Sequence, residues 1–439
     1  MITAAIGKIF LDAYNEKYGT TYDAKTFFVE VYYPLFFKEN KYLMTAGNTP
    51  LENPKISWGD MISGQKPFET CEQRKQRLGK FMSKIEIGYP TTDNTVGFAS
   101  SDVNTSTSGQ TSNIQYPFTK EDIYYSWFGA GLGIGIQERL TILFSNPEIL
   151  IDLFEGWKLY RKVLNEAQRL KGNQVNIWNG QWLAHRYDKG NYYPDQPMAE
   201  FSPFEKSKEG MISIATLSWT KLLIGISRHF SSPKMTGYVY RFDKTNTTIG
   251  FIPFNLEHIR RPLELYKRLF GEEEGRKAEE LWGTGIGFKA CCQKGAIGIE
   301  AMRPKDLEHY MIADKGKDIL LPKYDEKQII NYHTYQIWLL AMLNNQELWD
   351  KSHDFAKALF DVVAQDKSIS TQRKNVVKFV LSSTTKKNFM SSLENLVPIS
   401  ENIACIKETA GIVNLMPSDN VPYFLTLVRF HYAVIEKEQ

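Results

Sequence analysis

A chain of 439 residues is longer than one hydrophobic core organises, so about two or three domains are expected. Its 42% hydrophobic and 23% charged residues exclude a disordered chain. With 53 Lys+Arg against 50 Asp+Glu the net charge is only +3, which excludes a histone-like polycation and leaves little non-specific pull on nucleic acid. Four cysteines, two of them adjacent at Cys291 and Cys292, give neither a disulfide framework nor a CxxC pair. The opening residues lack the basic segment and cleavage site of a secretory signal, and no apolar run reaches about 18 residues. A cytoplasmic protein away from the membrane is the expectation.

Residues 1–45 carry two helical patterns around a turn at Gly19, Thr20 and Thr21. Asp23 opens the second, whose apolar side is Phe27, Phe28, Val31, Tyr32 and Leu35, with Pro34 as a kink or boundary. Prolines punctuate 46–120, where one basic helical piece, 71–84, carries Arg74, Lys75, Arg77, Lys80 and Lys84. Such a helix presents either a solvated face or a phosphate-contacting one. From 100 to 113 the only apolar side chain is Val103, which predicts a polar surface loop. Asn146-Pro147 reads as an N-cap and first-turn proline, and the helix they start runs on toward a stop at Gly172. Residues 173–255 turn to β character, with strands at 211–217, 237–242 and 247–251 and a hairpin turn at 243–246. Helix 256–270 and an acidic hinge at 271–275 follow. Beyond about Pro322, helical patterns at 329–343, 353–363, 372–379, 388–396 and 422–435 each carry an apolar stripe. The sum is an α+β fold: a mixed amino-terminal domain over 1–321 and a carboxy-terminal helical bundle over 322–439.

Several segments carry recognisable chemistry. The glycines of 129–135 have the density of a dinucleotide loop, but no strand pattern precedes them, so close backbone packing accounts for them better. A second cluster over 283–298 holds Lys289 and Lys294. It reads as strand-turn-strand, with Cys291 and Cys292 alternating in face, or as glycine-rich backbone approaching phosphates. Residues 171–182 pack Lys171, Asn173, Gln174, Asn176, Asn179 and Gln181 together with Trp178 and Trp182. Their amides match the edge of adenine and the indoles stack on bases, while a packed turn with ordinary tryptophan anchors explains them better. In the bundle, Lys367, Arg373, Lys374, Lys378, Lys386 and Lys387 crowd one region, with Lys374 and Lys378 one helical turn apart. None of the seven histidines lies in a hydrolytic spacing. Glu300 with Lys305 and Asp60 with Lys66 are the carboxylate–lysine pairs a metal-dependent nuclease would need, and their spacing does not single them out.

The order of elements resembles one known family. A mixed domain leads into Asn246-Thr247-Thr248-Ile249-Gly250-Phe251-Ile252, then helix 257–270, then a helical bundle. This is similar to the large subunit of a type I CRISPR surveillance complex (Cascade), although the cysteine-rich zinc ribbon of some members is absent. The resemblance implies a non-enzymatic subunit of antiviral defence, without cofactor or metal. It would work inside a crRNA-containing multi-protein complex, read a short motif beside a double-stranded DNA target and support duplex opening. On chemical grounds, motif reading falls to Asn104, Gln110 and Asn113 or to Asn173, Asn176 and Asn179. Phosphate contacts fall to Lys171, Lys289, Lys294, Arg373, Lys374 and Lys378. A restriction-type nuclease and a purely structural interaction protein are the alternatives.

Overall fold

A computed structural model describes residues 1–44, 49–52, 58–87, 94–97, 119–206, 210–241, 247–271, 277–279, 281–282, 286–311, 319–364 and 370–439. They form two compact units, Met1–Phe254 and Asn255–Gln439. The first mixes helices with antiparallel sheet and the second is helical, so the α+β class holds.

The first unit opens with α1 (Ile2–Tyr18), closed by Gly19 in the left-handed region at φ 62°. A second helical stretch combines α2 (Ala24–Phe27), a π turn (Phe28–Tyr32) and α3 (Tyr33–Phe36). Asp23 caps it by accepting from the Thr26 N–H at 2.7 Å. Pro34 has no N–H to donate, and the widened π turn just before it lets the helix continue where a break was one expectation. Then come α4 (Trp58–Ile62), α5 (Cys71–Ile87) and α6 (Lys120–Gly131), the last started by a reciprocal Thr119–Asp122 capping box. Helices α1 and α6 touch backbone to backbone. A Cβ on Gly7 would lie 1.9 Å from the Tyr125 carbonyl oxygen, and one on Gly129 1.9 Å from that of Thr3. Close packing is therefore what the glycines of 129–135 provide. Around this crossing Phe10, Phe27, Phe28, Tyr32, Phe36, Trp127, Phe128 and Trp157 form the buried aromatic core.

After α6 come β1 (Ile134–Ile136), β2 (Leu140–Phe144), α7 (Pro147–Glu166), α8 (Val175–Arg186), β3 (Phe204–Lys206), β4 (Ile212–Ile214), α9 (Trp219–His229), β5 (Met235–Arg241) and β6 (Thr247–Phe254). The expected cap at Asn146 is present: its Oδ1 accepts from the N–H groups of Glu148 and Ile149. A four-stranded antiparallel sheet runs β1-β2-β5-β6. Val239 pairs with Gly250 but Tyr240 pairs with Thr248, so Ile249 is an extra residue and Gly250, at φ 109°, absorbs the bulge. The strand expected at 211–217 shrinks to β4, paired with β3 in a separate ribbon. Segment 173–182 is not an extended or turn segment, since most of it lies in α8. Positions 242–246, with the expected hairpin turn, lie outside the described residues.

The second unit begins earlier than Pro322. Asn255 N–H donates to the Ile297 carbonyl at 2.8 Å, and α10 (Leu256–Phe270) packs on the later helices through Ile259, Leu263 and Tyr266. The sequence turns helix-rich only after 322, but these contacts bind 255–321 into the helical unit. A short α11 (Phe288–Gln293) carries Cys291 and Cys292, both buried, so the strand expected there is a helix. The bundle continues with α12 (Ile329–Leu343), α13 (Leu348–Ala364), α14 (Ser370–Leu381), α15 (Lys386–Leu396), α16 (Ile403–Leu415) and α17 (Val421–Glu438). Helix α17 packs on both α12 and α13 and is buried along most of its length. Two ionisable groups go inside with it. Arg429 donates to the carbonyls of Tyr310 and Ser383, and burial pushes its pKa down to about 10. His431 lies edge-on to Trp349 at 4.6 Å; burial, then the neighbouring His353, pushes it down to about 3.

Candidate nucleic-acid interface

Most amides of the segment proposed to read bases are engaged within the protein, Asn179 buried and Asn176 and Gln181 half-buried. Asn179 is 0% exposed, and its Nδ2 donates to the carbonyls of Gly131 (2.7 Å) and Gly133 (2.8 Å). Its Oδ1 accepts from Trp157 Nε1 at 3.1 Å. Asn176 Nδ2 donates to Ala130 and Gly133, and Gln181 Nε2 to Ala215. The two indoles, Trp178 and Trp182, are buried and donate to the Gly156 and Asp152 carbonyls. The reason lies in α6. A helix ends with carbonyls that lack intrahelical partners, and where the glycine stretch brings the backbones close, the amides of Asn176 and Asn179 supply partners to those of Ala130, Gly131 and Gly133. Asn176 and Asn179 are therefore removed as base readers. Asn173, just before α8, is half-buried, and Lys171 is half-buried with its backbone held by Tyr160 and Ile212. Asn104, Gln110 and Asn113 lie outside the described residues.

The basic helix α5 divides by residue type. Arg74 is 1% exposed and donates to the carbonyls of Phe37 and Leu51 and to Glu69. Arg77 pairs with the same Glu69 and reaches the Glu52 carbonyl. Burial alone would raise the Glu69 carboxyl, but hydrogen bonds from Arg77 and Arg74 hold it below its ordinary value. From α7, Arg161 donates to the carbonyls of Leu35, Phe36 and Lys41. Arg74 and Arg161 thus converge on the carboxy-terminal end of α3, where unpaired carbonyls and the helix dipole favour cations. Lys41 does the same for α7, donating to Ala167 and Gln168 at 2.7 Å. Only Lys75, Lys80 and Lys84 of the expected α5 cations are solvent-facing.

Helix α14 differs. Lys374 and Lys378 are both exposed at i,i+4, with Asn375 beside them, and Phe379 is 54% exposed next to Lys378. Arg373 is half-buried and one of its Nη atoms donates to the Val362 carbonyl near the end of α13. Lys386 closes α16 by donating to Asn414 and Met416, whereas Lys387 is exposed. Lys289 and Lys294 are exposed on and just after α11, a separate helix of the same unit. Lys367 lies outside the described residues. Of the proposed phosphate contacts, the structure therefore brings Lys374 and Lys378 together on one face and turns Arg373 partly to capping.

Neither nuclease pair stands out. Asp60 and Lys66 form a 3.0 Å ion pair across the turn after α4, and Glu300 and Lys305 are surface residues beside a 3-10 turn. Sequence reading overlooked a different grouping: Glu148 and Asp152 of α7 with His229 of α9, whose ligand-type atoms lie within 4.8 Å of one another. The i,i+4 carboxylates were visible in sequence, but their histidine arrives from a helix far along the chain. Among the described residues no helix is long and apolar enough to cross a membrane. Comparison with family models, curated proteins and solved structures finds no match.

Proposed function

We propose that the protein is a nucleic-acid-binding subunit of a larger assembly, holding the phosphate backbone on α14. The observation that carries this reading is the pair Lys374 and Lys378, outward and one turn apart, beside the exposed ring of Phe379. Like charges at this spacing repel slightly, and a row of phosphates relieves that repulsion. An exposed aromatic ring next to a cationic row is also the arrangement on which an unpaired base stacks. The net charge of +3 favours work within an assembly over strong binding alone.

The finer reading is a subunit of a crRNA-guided surveillance complex, engaging a double-stranded DNA target beside its guide-paired segment. It rests on the order of elements from 246 to 270 and into the bundle. With Asn176 and Asn179 committed internally, the segment with Asn104, Gln110 and Asn113 takes the motif-reading role. The test is binding of labelled DNA and RNA to the protein with its co-purifying partners. Lys374→Glu with Lys378→Glu weakens binding about equally for all sequences. Unchanged affinity, or no binding by the unaltered protein with its partners, rejects the reading.

A further inference from the structure

We propose that Glu148, Asp152 and His229 form a binding site for one first-row divalent transition metal ion. The inference is independent of the nucleic-acid reading, because it concerns the first unit and different residues. Three features of the local structure support it.

The donors converge and are held. Asn146 caps α7 and places Glu148 in its first turn, one turn before Asp152. His229 is the last residue of α9, and its ring stacks on Tyr187 at 4.2 Å with 17° between planes, which fixes the direction of Nε2. That nitrogen lies 2.7 Å from Glu148 Oε1. Asp152, only 4% exposed, is oriented by Arg186 at 2.7 Å on Oδ1 and by the Tyr187 hydroxyl at 3.0 Å on Oδ2. Partners of this kind, behind the ligand atoms, are what aligns donors on a metal.

The spacing suits an ion of that size. Ligands bound at about 2.0–2.1 Å in tetrahedral geometry sit roughly 3.3 Å apart. The three donors now lie within 4.8 Å of one another, with His229 and Glu148 closer than that ideal because they share a proton. An ion would take the place of that hydrogen bond: the neutral imidazole would carry its one N–H on Nδ1, so that Nε2 and the Glu148 carboxylate both become ligands. The two carboxylates balance the charge of a dication, and Arg186, paired with Asp152, adds one positive charge behind the site.

The site is also open on one side. Glu148 and His229 are exposed, and a groove of about 390 Å³, lined by Ala13, Glu16, Lys17, Pro147, Ile151 and the two carboxylates, reaches it. Three protein donors with a solvent side leave room for water to complete the coordination. One imidazole with two carboxylates selects Zn²⁺ or Co²⁺ over Mg²⁺ and Ca²⁺, which prefer oxygen ligands alone.

The experiment titrates the untagged full chain with Co²⁺ and reads visible absorption. One equivalent should produce d–d bands, Zn²⁺ should remove them and Mg²⁺ should not. His229→Ala and Glu148→Gln should each weaken Co²⁺ binding by about tenfold or more, with unchanged circular dichroism. Because the Glu148 side chain is exposed, its variant serves if the histidine variant does not fold. Absent bands, equal affinity in a folded variant, displacement by Mg²⁺, or a thiolate charge-transfer band assigning the ion to Cys71 or Cys405 would each overturn the proposal.

Discussion

Helices α5 and α14 are both basic in sequence, yet the fold uses them in opposite ways. In α5, Arg74 points into the unit and joins Arg161 at the carboxy-terminal end of α3, while Arg77 closes on Glu69. In α14, Lys374 and Lys378 point outward. The difference follows side-chain chemistry. A guanidinium offers five donors in a plane and satisfies several carbonyls at once; an ammonium on a flexible stem is more strongly hydrated and tends to stay in water. A count of basic residues therefore says little about a phosphate-binding face until each cation's partner is known. The division is not one of unit against unit, because Arg429 of the second unit is also buried on carbonyls.

The sharpest way to break this contrast is to remove an inward cation. Arg74→Ala leaves the Phe37 and Leu51 carbonyls without their donor, removes one of the two arginines on Glu69, and should cost about 3–5 kcal/mol in urea unfolding of the first unit. A cost similar to that of an ordinary surface substitution would place Arg74 with the outward lysines. Asn179→Ala comes next. It strands Trp157 Nε1 and the Gly131 carbonyl, while the Gly133 carbonyl keeps its bond from Asn176, and should cost roughly 2–3 kcal/mol, with no change in the sequence preference of nucleic-acid binding. An altered preference would return Asn179 to the recognition site.

A third test uses pH and the second unit. His431 is held neutral, down to about 3 against an ordinary 6.5, so the unfolded chain binds the proton first as pH falls. Stability is full above about 6.5 and declines below it, by about 2 kcal/mol at pH 5 and further until the folded value near 3 is reached. Denaturation of the unaltered chain and of His431→Phe at pH 7 and pH 5 reads this directly. An equal pH slope in both would show that His431 is not the group responsible. The smallest expected effect is on the outward pair: Lys374→Gln with Lys378→Gln should shift the melting curve little, as suits substitutions of exposed side chains.

Much of the architecture was legible because its signals are local. The cap at Asn146, helix 256–270, helix 329–343 and the pair of long strands follow from capping chemistry and periodicity. What escaped depends on partners far along the chain. Helix α8 was hidden by its asparagines and Gly180, poor helix formers kept there by the carbonyls of α6 and the backbone of β1. Helix α16 went unread because exposed Ile403 and Leu415 blur its apolar stripe and Gly411 interrupts it. The two cysteines suggested alternation, but a pair of residues cannot distinguish a strand from a short helix. At the candidate interface, the Lys374–Lys378 spacing was readable, whereas the inward turn of Arg74 and Arg161 required the end of α3 to be in place.

The central claim is that the outward face of α14 holds phosphates, and the salt dependence of duplex DNA binding by the protein with its co-purifying partners tests it most directly. Two lost phosphate contacts in Lys374→Gln with Lys378→Gln should reduce the slope of log affinity against log salt by about 1.8, with the same reduction on unrelated sequences. An unchanged slope would contradict the account and leave both lysines on an ordinary solvated helix.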